Sequence, residues 1–176
     1  MLYSLIEPNL EVKMLMPFNA SELFSLVDNN RDQLSQWLPF GPKIKEVKDA
    51  ESYIRSRLRL CSEEDSIKCG IWLDKKLVGL IGINGVDRDS LKCEIGYWLN
   101  SEYEGQGIMT KVLQNLIKHI FEKLQFNRIE IWTSSSNNKS SNLAKKLGFV
   151  VEGTLKQREK LNNQLLDMEI YALIKG

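Results

Sequence analysis

Histidine occurs once in this 176-residue chain and cysteine three times. Cys61, Cys69 and Cys93 form no CxxC pair and are odd in number, so no metal centre and no disulfide framework is expected. Reduced thiols in a cytoplasmic protein are the simplest reading. The single histidine, His119, stands beside Lys118 on the side of a helical pattern away from its apolar stripe. It is expected to be a solvated surface residue. A dominant charge is also missing: 24 Lys and Arg face 23 Asp and Glu, for a net charge of +1. That balance excludes a broad electrostatic attraction to nucleic acid or to an anionic membrane. No apolar run is long enough to predict a membrane span. The opening MLYSLIEPNLEVKML lacks a basic region followed by an apolar one, so no secretory signal is expected. Neither GxGxxG nor GxxxxGK[ST] is present, which removes both named phosphate loops. There is no internal repeat, linker or low-complexity tail.

An apolar fraction of 43% and a charged fraction of 27% suit one α+β domain over residues 1–176 with a sizeable core. Leu10–Met16 alternates as a strand. Asn19 and Glu22 form a variant capping box that opens a helix with Leu23, Phe24, Leu26 and Val27 inside. The segment Trp37-Leu38-Pro39-Phe40-Gly41-Pro42 breaks helix, because each proline disfavours it at the preceding residue. It reads either as a loop lining a cleft or as a lid on the core. A second helix runs from Asp49, with Tyr53, Ile54, Leu58 and Cys61 inward and Arg55, Arg57 and Arg59 on a charged face. Three antiparallel strands follow over Ser66–Leu73, Leu77–Val86 and Leu91–Asn100, joined by Asp74-Lys75-Lys76 and by Asp87-Arg88-Asp89-Ser90.

The stretch 93–124 organises the rest. A strand enters Ser101-Glu102-Tyr103-Glu104-Gly105-Gln106-Gly107, and a helix leaves it at Ile108. Met109, Val112, Leu113, Leu116, Ile117, Ile120, Phe121 and Leu124 line one helical face. A glycine-bearing loop at a helix start gathers free N–H groups and positive dipole, which suits phosphate. The glycines could also simply permit a tight turn, and Glu102 and Glu104 add negative charge nearby. Arg128–Thr133 is then a strand parallel to its predecessor. A helix over Ser140–Leu147 stops at Gly148, and the strands Phe149–Leu155 and Leu165–Ile174 close the sheet. The expected fold is a mixed, mostly antiparallel sheet flanked by helices.

This order resembles the GCN5-related N-acetyltransferase superfamily. Glu104-Gly105-Gln106-Gly107-Ile108-Met109 stands where that family has [QR]-x-x-G-x-[GA]; Glu104 and Met109 depart from it. The segment Asn137-x-x-Ser140-x-x-Leu143-x-x-x-Leu147-Gly148-Phe149 resembles the family's second cofactor-side segment. Trp37-Leu38-Pro39-Phe40, Glu94–Leu99, Asn127-Arg128-Ile129 and Glu152-Gly153-Thr154-Leu155 are similar to the RimJ/RimL-type enzymes that acetylate ribosomal-protein N-termini. That subgroup also holds polyamine and small-amine acetyltransferases, so the acceptor stays open.

The resemblance implies acetyl-CoA as co-substrate and no metal. It sets the pantetheine arm beside Tyr97, Trp98, Leu99 and Asn100. The pyrophosphate falls at Gln106, Gly107, Ile108, Met109 and Thr110, with Asn137 and Ser140 on the other side. Lys111, Lys139, Lys145 and Lys146 are further candidates for phosphate. Family members carry a proton-donating tyrosine where this chain has Ala144. Ser140 is the nearest substitute, with a helix N-cap as its alternative role. Glu94 and Glu159 compete as the base for the amine. The implied acceptor is a protein N-terminus, such as that of a ribosomal protein. A small cationic amine is the alternative, met by Glu63-Glu64-Asp65 or by Asp87 and Asp89. A cofactor-binding module without turnover is a third reading. Direct nucleic-acid or membrane partners are not expected, and a homodimer stays open.

Overall fold

Eight strands form one sheet in a computed structural model that describes residues 3–39, 41–63 and 66–176. They are β1 (Tyr3–Glu7), β2 (Leu10–Met14), β3 (Ile67–Leu73), β4 (Lys76–Asp87), β5 (Lys92–Leu99), β6 (Arg128–Ser134), β7 (Val150–Leu161) and β8 (Gln164–Ile174). The helices are α1 (Ala20–Asn29), α2 (Arg31–Ser35), α3 (Val47–Glu63), α4 (Ile108–Glu122) and α5 (Asn138–Lys146). Strand order is β1-β2-β3-β4-β5-β6-β8-β7. Every neighbouring pair is antiparallel except β5 and β6, which are parallel as expected, with α4 in the crossover between them.

Local chemistry explains the turns. Asp74 and Lys75 both have positive φ, as do Asn162 and Asn163, the backbone that a two-residue hairpin needs to match strand twist. Gly148 closes α5 at φ +87°. The sheet separates two apolar cores. On one face, α4 and α5 pack Val112, Leu113, Leu116 and Ala144 against Ile81, Ile95, Ile129 and Ile131. On the other, α1, α2 and α3 pack Leu23, Val27, Leu34 and Ile54 against Trp72, Leu80 and Trp98. The stripe expected on α4 is the one buried, with Ile117, Phe121 and Leu124 partly buried at its margin.

Several expectations need correction. The strand β1 precedes the first one read from the sequence, separated from it by the short turn at Pro8 and Asn9. Asn19 does not cap α1 with its side chain. It accepts from the Met16 N–H at 3.1 Å and donates to Glu22 at 3.1 Å, closing a short 3-10 turn over Pro17–Asn19 instead. The helix α3 begins at Val47, and Asp49 caps it from inside by accepting from the Lys45 and Glu46 N–H groups. His119 is half-buried, with Nε2 out of solvent and unpaired; burial pushes its pKa down. Arg57 is not a plain surface residue either. It is half-buried, stacks on Tyr53 at 5.1 Å and leaves a buried Nε unpaired. Phe40, Glu64 and Asp65 lie outside the described residues.

None of the three cysteines is in a disulfide. Burial raises the Cys69 thiol to about 11 and the Cys93 thiol to about 12, which keeps both protonated and inert. Among the described residues no cluster of His, Cys, Asp or Glu could hold a metal ion, and no helix is long and apolar enough to cross a membrane.

Candidate active site

The parallel pair is short. Lys92, Cys93 and Glu94 lie opposite Arg128, Ile129 and Glu130, and the pairing ends there. Each strand continues, but with its other neighbour: β5 stays paired to β4 through Leu99, and β6 to β8 through Ser134. The sheet is therefore wedged open at the carboxyl ends of its two parallel strands. Such an opening leaves strand-edge backbone groups without a ladder partner, which an extended amide chain can satisfy.

Each lip of the wedge leads to a helix N-terminus. On the β5 side, buried Asn100 donates its N–H to Val78 O at 2.8 Å, and its Oδ1 accepts from the Glu102 N–H at 3.0 Å. Gly105 and Gly107 follow at φ +76° and +77°. A Cβ added at either would meet nothing within 4 Å. Gly107 caps α4 in the left-handed conformation with no side-chain cap, so the first N–H groups of α4 have no intrahelical acceptor. Ile108 and Met109 are buried, so they offer a ligand backbone and not side chains. Thr110 is half-buried, and exposed Gln106 folds back to Glu102 O at 3.0 Å. On the β6 side, Asn137 caps α5 by accepting from the Ser140 N–H at 3.2 Å. The capping alternative for Ser140 thus belongs to Asn137.

The Ser140 hydroxyl is instead engaged across the wedge, 3.1 Å from the Tyr97 hydroxyl. Burial raises the Tyr97 pKa, opposed by the bond to Ser140. Two hydroxyls from opposite lips therefore meet near the place left by Ala144, which is buried in the core. From the sequence, Tyr97 is expected only along the cofactor strand. Trp98 points the other way, into the core beneath α1 and α3, and its buried indole N–H has no acceptor. Leu99 packs in the first core.

Glu104, where the family pattern has Gln or Arg, is a junction. It accepts from Gln33 Nε2 of α2 at 2.6 Å and pairs with Lys139 of α5, so its charge is partly balanced. Buried Asn30, between α1 and α2, accepts from the Ser101 N–H at 3.3 Å and donates to Leu26 O at 2.9 Å. Lys111 pairs with Glu7 at 2.6 Å, and Lys145 lies over the Tyr171 ring.

The carboxylates lie on the sheet face that carries α1–α3. Glu94 is opposite Asn84 on β4 and Glu130 on β6. Glu130 is committed: it accepts from Arg128 Nε at 2.7 Å and Trp132 Nε1 at 2.9 Å. Burial opposes its ionisation, but these bonds hold its pKa down. Half-buried Glu94 has its pKa raised by burial, lowered by Lys68, and raised again by Glu130 and Glu159. Glu159 lies exposed on β7. The two candidates are near enough to feel one another, but Glu94 is the one in a desolvated setting suited to a base near neutrality. The hairpin of β7 and β8 reaches over to α2, where Asn162 Nδ2 donates to Ser35 O at 2.6 Å.

A mixed sheet wedged open between two parallel strands, with a helix start on each lip, is the architecture of an N-acetyltransferase. The chain belongs to the acetyltransferase (GNAT) domain family, whose sequence pattern matches residues 14–150. It is 30% identical to YdaF of Bacillus subtilis over 97% of this chain and 93% of that protein. It is 29% identical to the ribosomal-protein-serine acetyltransferase of Escherichia coli over 96% of this chain and 94% of that enzyme. The structure of RimL, a ribosomal L7/L12 alpha-N-protein acetyltransferase in complex with coenzyme A, superposes with a TM-score of 0.93. That pair is 26% identical, with 98% of this chain and 97% of the other covered.

Proposed function

We propose that this enzyme transfers an acetyl group from acetyl-CoA to the N-terminal amine of a protein, with a ribosomal protein as the acceptor. The observation that carries this reading is the end-to-end similarity to RimL, a ribosomal L7/L12 alpha-N-protein acetyltransferase solved with coenzyme A. The wedge fits the co-substrate. Its unpaired strand edge suits a pantetheine arm, and the open glycines before α4 leave room for a pyrophosphate. Acetyl-CoA supplies the activated acetyl group.

The chain's own residues then have separable parts. The loop Gln106–Thr110 and Asn137 hold the co-substrate from either lip. Free N–H groups along the edge of β5 stabilise the thioester oxygen as it gains charge. Glu94, directly or through a water, takes a proton from the bound ammonium so that the neutral amine attacks, and Glu159 helps hold the cation beforehand. As the N–C bond forms and the C–S bond breaks, the Ser140 and Tyr97 hydroxyls deliver a proton to the departing thiolate, and the excess proton left on the nitrogen is lost through water, which restores the hydroxyls.

The test is mass spectrometry after incubation with acetyl-CoA and a mixture of ribosomal-protein N-terminal peptides, polyamines and aminoglycosides. Addition of one acetyl group at peptide N-termini is expected. Acetylation confined to the small amines would overturn the acceptor, and thiol release with no acceptor modified would overturn the transfer.

A further inference from the structure

On the face of the sheet under α1–α3, the side chains change character over a single row. Gly70, Leu80 and Trp98 stand side by side across β3, β4 and β5, and Leu80 and Trp98 belong to the core. One row further along, Lys68, Gly82 and Gly96 are in register. The next row carries Asn84 and Glu94.

The two glycines in the middle row let Lys68 lie down across the sheet. A Cβ at Gly82 would fall 2.5 Å from Lys68 Cδ and 2.3 Å from Ile67 O, so only glycine admits this path. A Cβ at Gly96 would lie 3.6 Å from Lys68 Nζ and 3.2 Å from Asn84 Nδ2. Two donors therefore converge over Gly96, on space that a methyl group would fill. Among the described residues neither donor has a hydrogen-bond acceptor, and no carboxylate lies within ion-pair distance of Lys68. Both side chains are half-buried yet neither donor is sealed from solvent, so an oxygen arriving from solvent can take the place of water on both. The titratable groups around Lys68 are Arg57 from α3, Glu94 from β5 and its neighbour Cys69 in β3, with Glu130 and Glu159 beyond Glu94.

We propose that Lys68 and Asn84 form an acceptor subsite that receives a carbonyl or carboxylate oxygen of the substrate. It lies one row from Glu94, on the same face. An oxygen bound there would leave the amine on the same peptide within reach of that carboxylate. The chemistry separates acceptors: a peptide carries carbonyl oxygens next to its N-terminal amine, and a polyamine carries none. The inference rests on the peptide-acceptor reading and assigns specificity residues within it.

The test compares a tetrapeptide amide with its analogue whose first carbonyl is replaced by methylene, using the wild type, Lys68→Met and Gly96→Ala. Losing a hydrogen bond to a charged donor should raise the peptide KM by about tenfold or more. Gly96→Ala should act in the same direction by filling the space without removing a charge. Acetyl-CoA affinity, read by calorimetry, should stay within about twofold for both. The methylene analogue should be a poor substrate of the wild type and indifferent to Lys68→Met. Wild-type peptide KM in both folded variants would overturn the subsite and leave the peptide reading intact. Equal losses on the peptide and its analogue would also overturn it, because the oxygen would then play no part. If the wild type acetylated polyamines and no peptide, the reading itself would fall and the subsite with it.

Discussion

Replacing Lys68 by methionine should make the protein more stable at neutral pH. Burial, reinforced by Arg57 and only partly relieved by Glu94, pulls the lysine from its ordinary 10.5 to about 8. At about 1.4 kcal/mol per pH unit, charging this lysine in the folded state costs up to about 3 kcal/mol; water reaching Nζ would lower that figure. Methionine keeps a similar stem, fits the same path over Gly82, and removes the charge. The sign follows from linkage. Below about pH 8 the lysine is protonated in both states, and the folded state bears the whole penalty. Between about 8 and 10.5 the folded form releases its proton first, so wild-type stability rises relative to the variant; above 10.5 the difference closes. Denaturant midpoints for both proteins from pH 7 to 11 measure it (about pH 7 to 11 being the window set by that linkage). The raised thiols of Cys69 and Cys93 act the opposite way at high pH; Cys93 is common to both proteins and cancels, while Cys69 loses the downward pull of Lys68 in the variant. Equal stability of the two proteins across that range would refute the buried, depressed ammonium. A residue that costs stability at the proposed acceptor subsite is what a functional compromise would look like.

Gly107→Asp should weaken acetyl-CoA binding at least about tenfold by calorimetry, since it puts a carboxylate at the start of α4. It should also cost about 1 kcal/mol of stability, because φ there is +77°; unchanged affinity would remove the phosphate assignment. Ser140→Ala and Tyr97→Phe should each lower kcat more than they change the acetyl-CoA KM. Their effects should be non-additive in the double variant if the two hydroxyls act as a unit, and strict additivity would separate them. Glu94→Gln should reduce kcat/KM for the amine about a hundredfold and alter the acidic limb of its pH profile, with a smaller loss for Glu159→Gln. The reverse order would return the base to Glu159.

Legibility in the sequence follows how far each element carries an apolar pattern. The helix α4 has its apolar stripe against the core, and its start at Ile108 was readable. The strand β7 is legible only to Leu155, where its apolar residues Val150, Val151 and Leu155 end and the charged or polar run Lys156–Lys160 of an edge strand begins. There the ladder to β8 holds the chain and leaves no apolar alternation to see. The wedge itself was not legible, since nothing in Ile95–Leu99 says where a neighbour stops pairing. Nor was the Ser140–Tyr97 contact, which joins residues from different elements. Lys68 offered one signal, a lysine set between Ile67 and Cys69 in an apolar strand. Its meaning depends on Gly82 and Gly96 being level with it, and only the register supplies that.

The ties from Asn30 to Ser101 and from Gln33 to Glu104 join α1 and α2, on the proposed amine side, to the loop proposed for the nucleotide. Two substrates that meet only at the acetyl group would then share a mechanical frame. If nucleotide binding shifts that loop, α2 must yield with it, and the two affinities become one coupled quantity. Reciprocity then requires a bound peptide to tighten acetyl-CoA by the same factor that acetyl-CoA tightens the peptide. Calorimetric titrations run in both orders should return that common factor, and Gln33→Ala should bring it towards unity; a factor indifferent to Gln33 would mean that the frame transmits nothing.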